Sequence, residues 1–432
     1  MVTDQRTQPL PQRPPRPALP STPLRTPAVE LRTVLERLVA AADSGQALDA
    51  FLYAAGAAQI VADRLQGGSL LPGPSPLLPP RGATGLLARL LETSATAVRG
   101  RLGLAEWHVL LRDLANVLAE AVLGDTEEDA AGILLSVRTA VEDLRSGVPP
   151  HTARLLDGAR LLDESGFREH DLRPEDVVAL AERFAALHPD RERPLLVLGL
   201  RSSGSYLAPL AAAALGRLEY QHVVARTTRP GGPLLPEEPR LPESLRRVGG
   251  LVVLLGAPPR SGAALASVAA RFTEAGFAAD RIVPAYPEPT ERTRPPGLLR
   301  DHPAVVLPAS AWRIGRLLEP RQLAAAVSEL LPLGSELITL EDLADATGGD
   351  GVRPGHRRVT FTVRVAGPGG ERRSLRLTAG GLPLGPRPVP APGDLGVQDG
   401  VLFTERAERA ERAESNERAE SADPPMPAEG GG

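Results

Sequence analysis

Residues Leu195 to Gly216 read LLVLGLRSSGSYLAPLAAAALG, and the first six of them are wholly apolar. A short apolar run that ends abruptly in polar residues suits a strand covered on both faces of a parallel sheet. Arg201, Ser202, Ser203, Gly204 and Ser205 then form a polar turn, and the small apolar residues from Tyr206 onward predict a helix. The same cadence recurs on both sides. Strands are expected at 220–225, 251–255, 281–285 and 304–307, and helices at 174–187, 206–215, 263–276 and 320–331. Alternation of this kind predicts an open parallel-sheet α/β domain over about residues 170–334.

The flanks read differently. Residues 1–27 are rich in Pro and lack an apolar period, so they are expected to be a disordered tail. Residues 28–148 carry helical spacing, as in Val34, Leu35, Leu38 and again Leu110, Leu114, Val117, Leu118, and predict a helical domain of four or five helices. Residues 335–404 predict a small β-rich segment, in which Arg357–Val365 and Arg372–Thr378 flank the turn AGPGGE. From 405 to 432 the repeated ERA triplets predict a low-complexity, disordered tail.

Composition removes whole classes of chemistry. The chain has no Cys, which excludes disulfides, thiolate metal sites and a cysteine nucleophile, and suits a reducing cytoplasm. All 49 basic residues are Arg, so a Walker-A lysine, a Schiff-base lysine and a kinase-type lysine are absent. A net charge of −4 offers no global field for nucleic acid or anionic membrane. No apolar run reaches the ~18 residues of a spanning helix. The His residues include no i,i+4 pair, and neither a G-x-S-x-G elbow nor a G-x-G-x-x-G turn after a strand occurs. Trp107 and Trp312 are expected in the core, and Asp171, Glu175 and Asp176 in helix-capping roles.

Two loops suit phosphate. In the turn after Leu200, Gly204 permits close backbone approach, the serines supply hydroxyls and Arg201 supplies a planar cation. The alternative is an ordinary strand–helix turn with a serine cap. The second loop, Gly256 to Gly262, closes the apolar run Leu251–Leu255 and opens a helix, where Ser261, Gly262 and the amides of Ala263 and Ala264 suit a phosphate nest. Its alternative is a βα loop kept small for packing.

These residues resemble a phosphoribosyltransferase of the type I fold. VLGLRSSGSYLAPLAAAAL followed by ARTTRPGG is similar, more narrowly, to the phosphoribosyltransferase-like domain of large actinobacterial multidomain proteins, and the likeness covers about residues 170–330. The resemblance implies that Arg201, Ser202, Ser203, Gly204 and Ser205 hold pyrophosphate and that Arg260, Ser261, Gly262, Ala263 and Ala264 hold a ribose 5-phosphate. It further implies that Arg226 and Arg229, in a mobile loop after the second strand, close over the phosphates, and that Mg²⁺ is carried on the ligand's own phosphates with no protein ligand. The positions where active members bear two adjacent acids are Gly256 and Ala257 here. Losing two charge-assisted hydrogen bonds of ~1.5–3 kcal/mol each weakens the hold on the sugar.

Two readings therefore stand. One is a protein binding a phosphorylated ribose compound, phosphoribosyl pyrophosphate or a nucleotide, with or without glycosyl transfer. The other is a non-catalytic scaffold or regulatory protein whose helical domain meets a protein partner or a second copy. Residues 357–378 and 394–405 also faintly resemble the first strands of a kinase-like lobe, but RRSLRLTAGG has no lysine to grip a nucleotide, and a β-appendage on the α/β domain is the plainer expectation.

Overall fold

The computed structural model describes residues 29–67, 103–124, 126–146, 156, 160–161, 171–345 apart from 233, 236–237, 257–261 and 289–295, and then 357–382 and 394–405. The expected tails, and Arg260 and Ser261 with Ala257, lie outside these residues. Three parts follow one another.

A helical region comes first, with α1 (Leu31–Asp43), α2 (Ala47–Gly67), α3 (Leu104–Leu123) and α4 (Glu127–Ser146). A two-residue bridge, β1 (Val29–Glu30) with β2 (Arg160–Leu161), ties its start to the chain that follows. α2 is rich in Ala along its buried side, which lets α3 approach closely, and α3 buries Trp107, Leu110, Leu111, Leu114, Val117 and Leu118.

The α/β part then runs α5 (Pro174–Leu187), β3 (Leu195–Leu200), α6 (Gly204–Arg217), β4 (Val223–Thr228), α7 (Leu241–Arg247), β5 (Leu251–Leu255), α8 (Ala263–Glu274), β6 (Ile282–Pro287), β7 (Val305–Leu307), α9 (Arg313–Leu317) and α10 (Pro320–Leu330). Its five strands are all parallel, in the order β4-β3-β5-β6-β7. Period-2 alternation sends Leu195 and Val197 of β3 into one apolar cluster and Leu196, Leu198 and Leu200 into the other. Both faces of the sheet are thus covered, and each fully buried Leu or Val stabilises the fold by ~1.5–3 kcal/mol. α6 packs on the face shared with the helical region, α8 on the opposite face. The strand order reverses between β3 and β5, and the helices that follow them, α6 and α8, lie on opposite faces; at such a switch point open α/β sheets form a crevice at the carboxyl ends of their strands.

The last part is an antiparallel sheet of β8 (Glu336–Asp345), β9 (Arg358–Ala366), β10 (Arg372–Gly381), β11 (Asp394–Gln398) and β12 (Val401–Glu405), ordered β11-β12-β10-β9-β8. It is docked on the α/β part by polar contacts: Asp171 accepts from the Arg357 amide, Arg313 Nη2 donates to the Asp399 carbonyl at 2.7 Å, and Arg357 Nη1 donates to the Ala309 carbonyl at 3.2 Å. Within the α/β part, Asp176 accepts from both the Arg173 amide that opens α5, at 2.9 Å, and the Arg313 amide that opens α9, at 2.6 Å. The expected helix-cap role of Asp176 is met, with a second helix start served by the same side chain.

The short helices α7 and α9 and the β1–β2 bridge were not expected, and two strands also depart from the sequence reading. β4 begins three residues later than expected, because Tyr220 is buried against Phe184 and donates to the His188 carbonyl instead of entering the sheet. β8 was not foreseen at all. Its ladder with β9 slips at Leu337/Thr339 and again at Glu341/Ala344, so the apolar residues Leu337, Leu340 and Leu343 recur every third position and hide the strand period.

The turn after β3 depends on two glycines. A Cβ on Gly199 would lie 2.0 Å from the Gly204 carbonyl oxygen, and one on Gly204 would lie 2.4 Å from the Gly199 carbonyl carbon. Only backbone opposes these atoms, so neither can yield. Gly256, by contrast, would set its Cβ 3.5 Å from Leu265, an ordinary contact. Gly199→Ala is expected to cost about 3 kcal/mol or more in urea denaturation, whereas Gly256→Ala changes stability by about 1 kcal/mol or less.

Candidate functional site

The register of the parallel ladder sets the site. Leu200 pairs with Thr228, and the Arg201 amide continues the ladder by donating to the Thr228 carbonyl at 2.9 Å. Arg201 and Arg229 consequently leave adjacent strands side by side, two cations abreast at strand spacing of ~4.8 Å. An anion must lie between them or they repel.

That anion is a carboxylate from the helical region. Arg201 Nη1 donates to Asp63 Oδ1 at 3.0 Å, Arg229 Nε donates to the same oxygen at 3.0 Å, and Arg229 Nη2 donates to Asp63 Oδ2. The Arg201 side chain is fully buried and its Nε also donates to Thr227 Oγ1, while Asp63 and Arg229 retain 32% and 38% exposure, so the pair opens to solvent on the Arg229 side. The hydrogen bonds to Asp63 push the Arg229 pKa above its ordinary value despite partial burial. One turn earlier on α2, Gln59 Oε1 accepts from the Ser205 hydroxyl at 2.6 Å.

A second ionic cluster lies deeper. Arg226 donates to Glu238 with Nε at 2.7 Å and Nη2 at 2.8 Å, and Arg112 of α3 donates to Glu238 at 2.9 Å and to Asp113 at 3.3 Å. Burial, then Arg112, lower the Arg226 pKa against the pull of Glu238. For Arg112 burial opposes the charge, yet Asp113 and Glu238 outweigh it and raise the pKa. Among the described residues the two clusters join the guanidiniums of Arg112, Arg201, Arg226 and Arg229 to the carboxylates of Asp63, Asp113 and Glu238. His108 stands in that field at 6% exposure, and its Nδ1 has no hydrogen-bond partner among the described residues. Burial, with Arg112, Arg201 and Arg226, holds its pKa well below the usual 6.5. The cavity bordered by His108, Asn116, Ser205, Arg226 and Glu238 measures about 30 Å³, room on the order of one or two waters and not a nucleotide.

The other expected residues fall as follows. Ser202 is half-buried, and Ser203 is buried at the start of α6 without a side-chain cap bond. The amides of Ser205, Tyr206 and Leu207 are spent on the Ser202 and Ser203 carbonyls, so the first turn of α6 offers fewer donors to a phosphate than its sequence suggests. The Arg201–Ser202 peptide is cis. Ahead of Ala263 and Ala264, Gly262 takes a left-handed φ of 73° at the start of α8, where a Cβ would lie 3.0 Å from Pro296 and 3.2 Å from Leu299. Arg226 corrects the expectation of a mobile phosphate-closing loop, since it lies inside β4 and is held by Glu238; Arg229 is the one just past the strand end. Ser205 likewise turns to α2 and not to the crevice. Among the described residues no three His, Asp or Glu side chains cluster as metal ligands. Nor is any described helix long and apolar enough to cross a membrane.

Searched against protein-family models, curated proteins and solved structures, the chain matches none.

Sequence reasoning missed Asp63, Gln59, Arg112, Glu238 and His108, and also Glu288, a buried acid just beyond the carboxyl end of β6. A signal did exist on α2: Gln59 and Asp63 are four apart, hence on one face, of a helix otherwise nearly apolar there.

Two outcomes follow from the buried charges. Glu238→Gln leaves Arg112 and Arg226 without their shared counter-charge and is expected to cost ~3–5 kcal/mol in denaturant unfolding. His108, depressed in the folded state, takes its proton first in the unfolded chain; stability is therefore full above about pH 6.5 and falls as pH drops toward the folded-state pKa, with a slope of at most about 1.4 kcal/mol per unit. His108→Asn flattens that slope when unfolding is followed from pH 7 to pH 5.

Proposed function

We propose that this chain binds a phosphorylated ribose compound, phosphoribosyl pyrophosphate or a nucleotide, through its phosphates at Arg201 and Arg229, and does not transfer the glycosyl group. The observation that carries this reading is the convergence of two guanidiniums on both oxygens of one carboxylate at the carboxyl ends of β3 and β4. Planar forks of that kind match phosphate oxygens as well as carboxylate oxygens. The position beside the strand-order reversal, where open α/β sheets bind ligands, supports the same reading. Gly256 and Ala257 stand where a transferase bears its acids, and this argues for binding without turnover.

A second reading has its own observation. Ser205 and Arg226, expected to face a ligand, are engaged by Gln59 and Glu238, as in a scaffold whose old cleft has become an internal interface. Calorimetric titration with phosphoribosyl pyrophosphate, with and without Mg²⁺, separates the two. Micromolar binding, about −8 kcal/mol, that weakens at least tenfold in Arg229→Gln with no pyrophosphate released on incubation is the expected result. Absence of heat at millimolar ligand leaves the scaffold.

A further inference from the structure

We infer that Asp63 is a built-in competitor for the phosphate position, so that the last turn of α2 and a phosphorylated ligand exclude one another at Arg201 and Arg229. The inference rests on the phosphate-binding reading above and adds its regulation. Asp63 accepts from both guanidiniums and uses both of its oxygens, which is the coordination a phosphate would take there. It comes from a helix distant in sequence, 138 residues from Arg201 and 166 from Arg229, so neither arginine's local chain supplies the anion.

Charge and access agree with an exchange. The two guanidiniums that Asp63 bridges carry two positive charges between them, which a phosphate dianion matches and a single carboxylate does not. Arg201 is sealed beneath, but Asp63 and Arg229 are each about a third exposed, so an anion reaches the pair from solvent on that side. Asp63 sits four residues from the end of α2, with Gln59 as its neighbour on the same face. Opening therefore needs the last turn and a half of the helix to shift, not the whole helical region. The deeper Arg112–Glu238–Arg226 cluster is untouched by the exchange, because Glu238 belongs to the α/β part itself and keeps α3 in place. When the open form is a minority, apparent affinity is reduced by its population, so a closed form favoured ten- to a hundredfold raises the apparent Kd by about the same factor.

The test is pyrophosphate binding by calorimetry to the full chain and to Asp63→Asn, with hydrogen exchange of residues 59–67 followed in the wild-type chain as pyrophosphate is added. Binding about tenfold or more tighter in Asp63→Asn, together with loss of protection at 59–67 in the wild type, is the expected result. A purely structural Asp63 gives the opposite, since its neutralisation strands Arg201 and weakens or leaves unchanged the affinity. Wild-type binding with unaltered protection at 59–67 overturns the competitor role while leaving phosphate binding standing, and does so even if Asp63→Asn fails to fold. No heat from wild type and variant alike at millimolar pyrophosphate overturns both.

Discussion

A carboxylate wedged between two arginines, Asp63 between Arg201 and Arg229, is the contact on which the relation of the helical region to the sheet turns. Parallel pairing of β3 with β4 obliges the two cations to emerge together. Their repulsion in a partly buried setting is relieved only by an anion, and the helical region supplies one. α2 is thus positioned by electrostatics at its end and by apolar contact along its length, where Phe51, Ala54, Ile60 and Val61 are all but fully buried. The first effect selects an orientation; the second provides most of the stabilisation.

Behind it, Glu238 plays the corresponding part for Arg112 and Arg226. Buried ion pairs of this sort add little net stability compared with apolar packing, yet removing one partner leaves an uncompensated charge. A single apolar cluster runs from α1 through α6 and β3 into the antiparallel sheet, so the ionic contacts are set into a continuous core and not into a hydrated seam. His108 stands inside that core: burial first, and then the neighbouring guanidiniums of Arg112, Arg201 and Arg226, disfavour its imidazolium form.

Much of the α/β part was legible because its signals are local. The apolar runs at Leu195–Leu200 and Leu251–Leu255 are strands with the bounds expected, since a strand buried on both faces needs no partner to declare itself. The α/β class, the helical region and the terminal β-sheet were read correctly for the same reason. What failed were features fixed by distant contacts. Tyr220 reads as strand but is claimed by Phe184 and His188; β8 loses its period to two bulges; Arg226 reads as loop but is held in β4. Of the candidate site, the chain places Arg201 and Arg229 together through the β3–β4 register, yet the carboxylate opposite them comes from more than a hundred residues away, 138 from Arg201 and 166 from Arg229, which no local pattern encodes.

The irregular β8 also bears on how the chain behaves in crowded solution. Among the described residues it is a ten-residue edge strand, paired with β9 on one side, and it displays Ile338 and Leu343 at 44% and 38% exposure. A flat edge of that length invites a strand from another chain to add on and seed fibrils. The two slips in its ladder, with Asp342 at a left-handed φ of 54° between Glu341 and Leu343, twist the edge so that no incoming strand keeps step along it. The same irregularity that hid the strand from a reader of the sequence hides it from a neighbouring molecule.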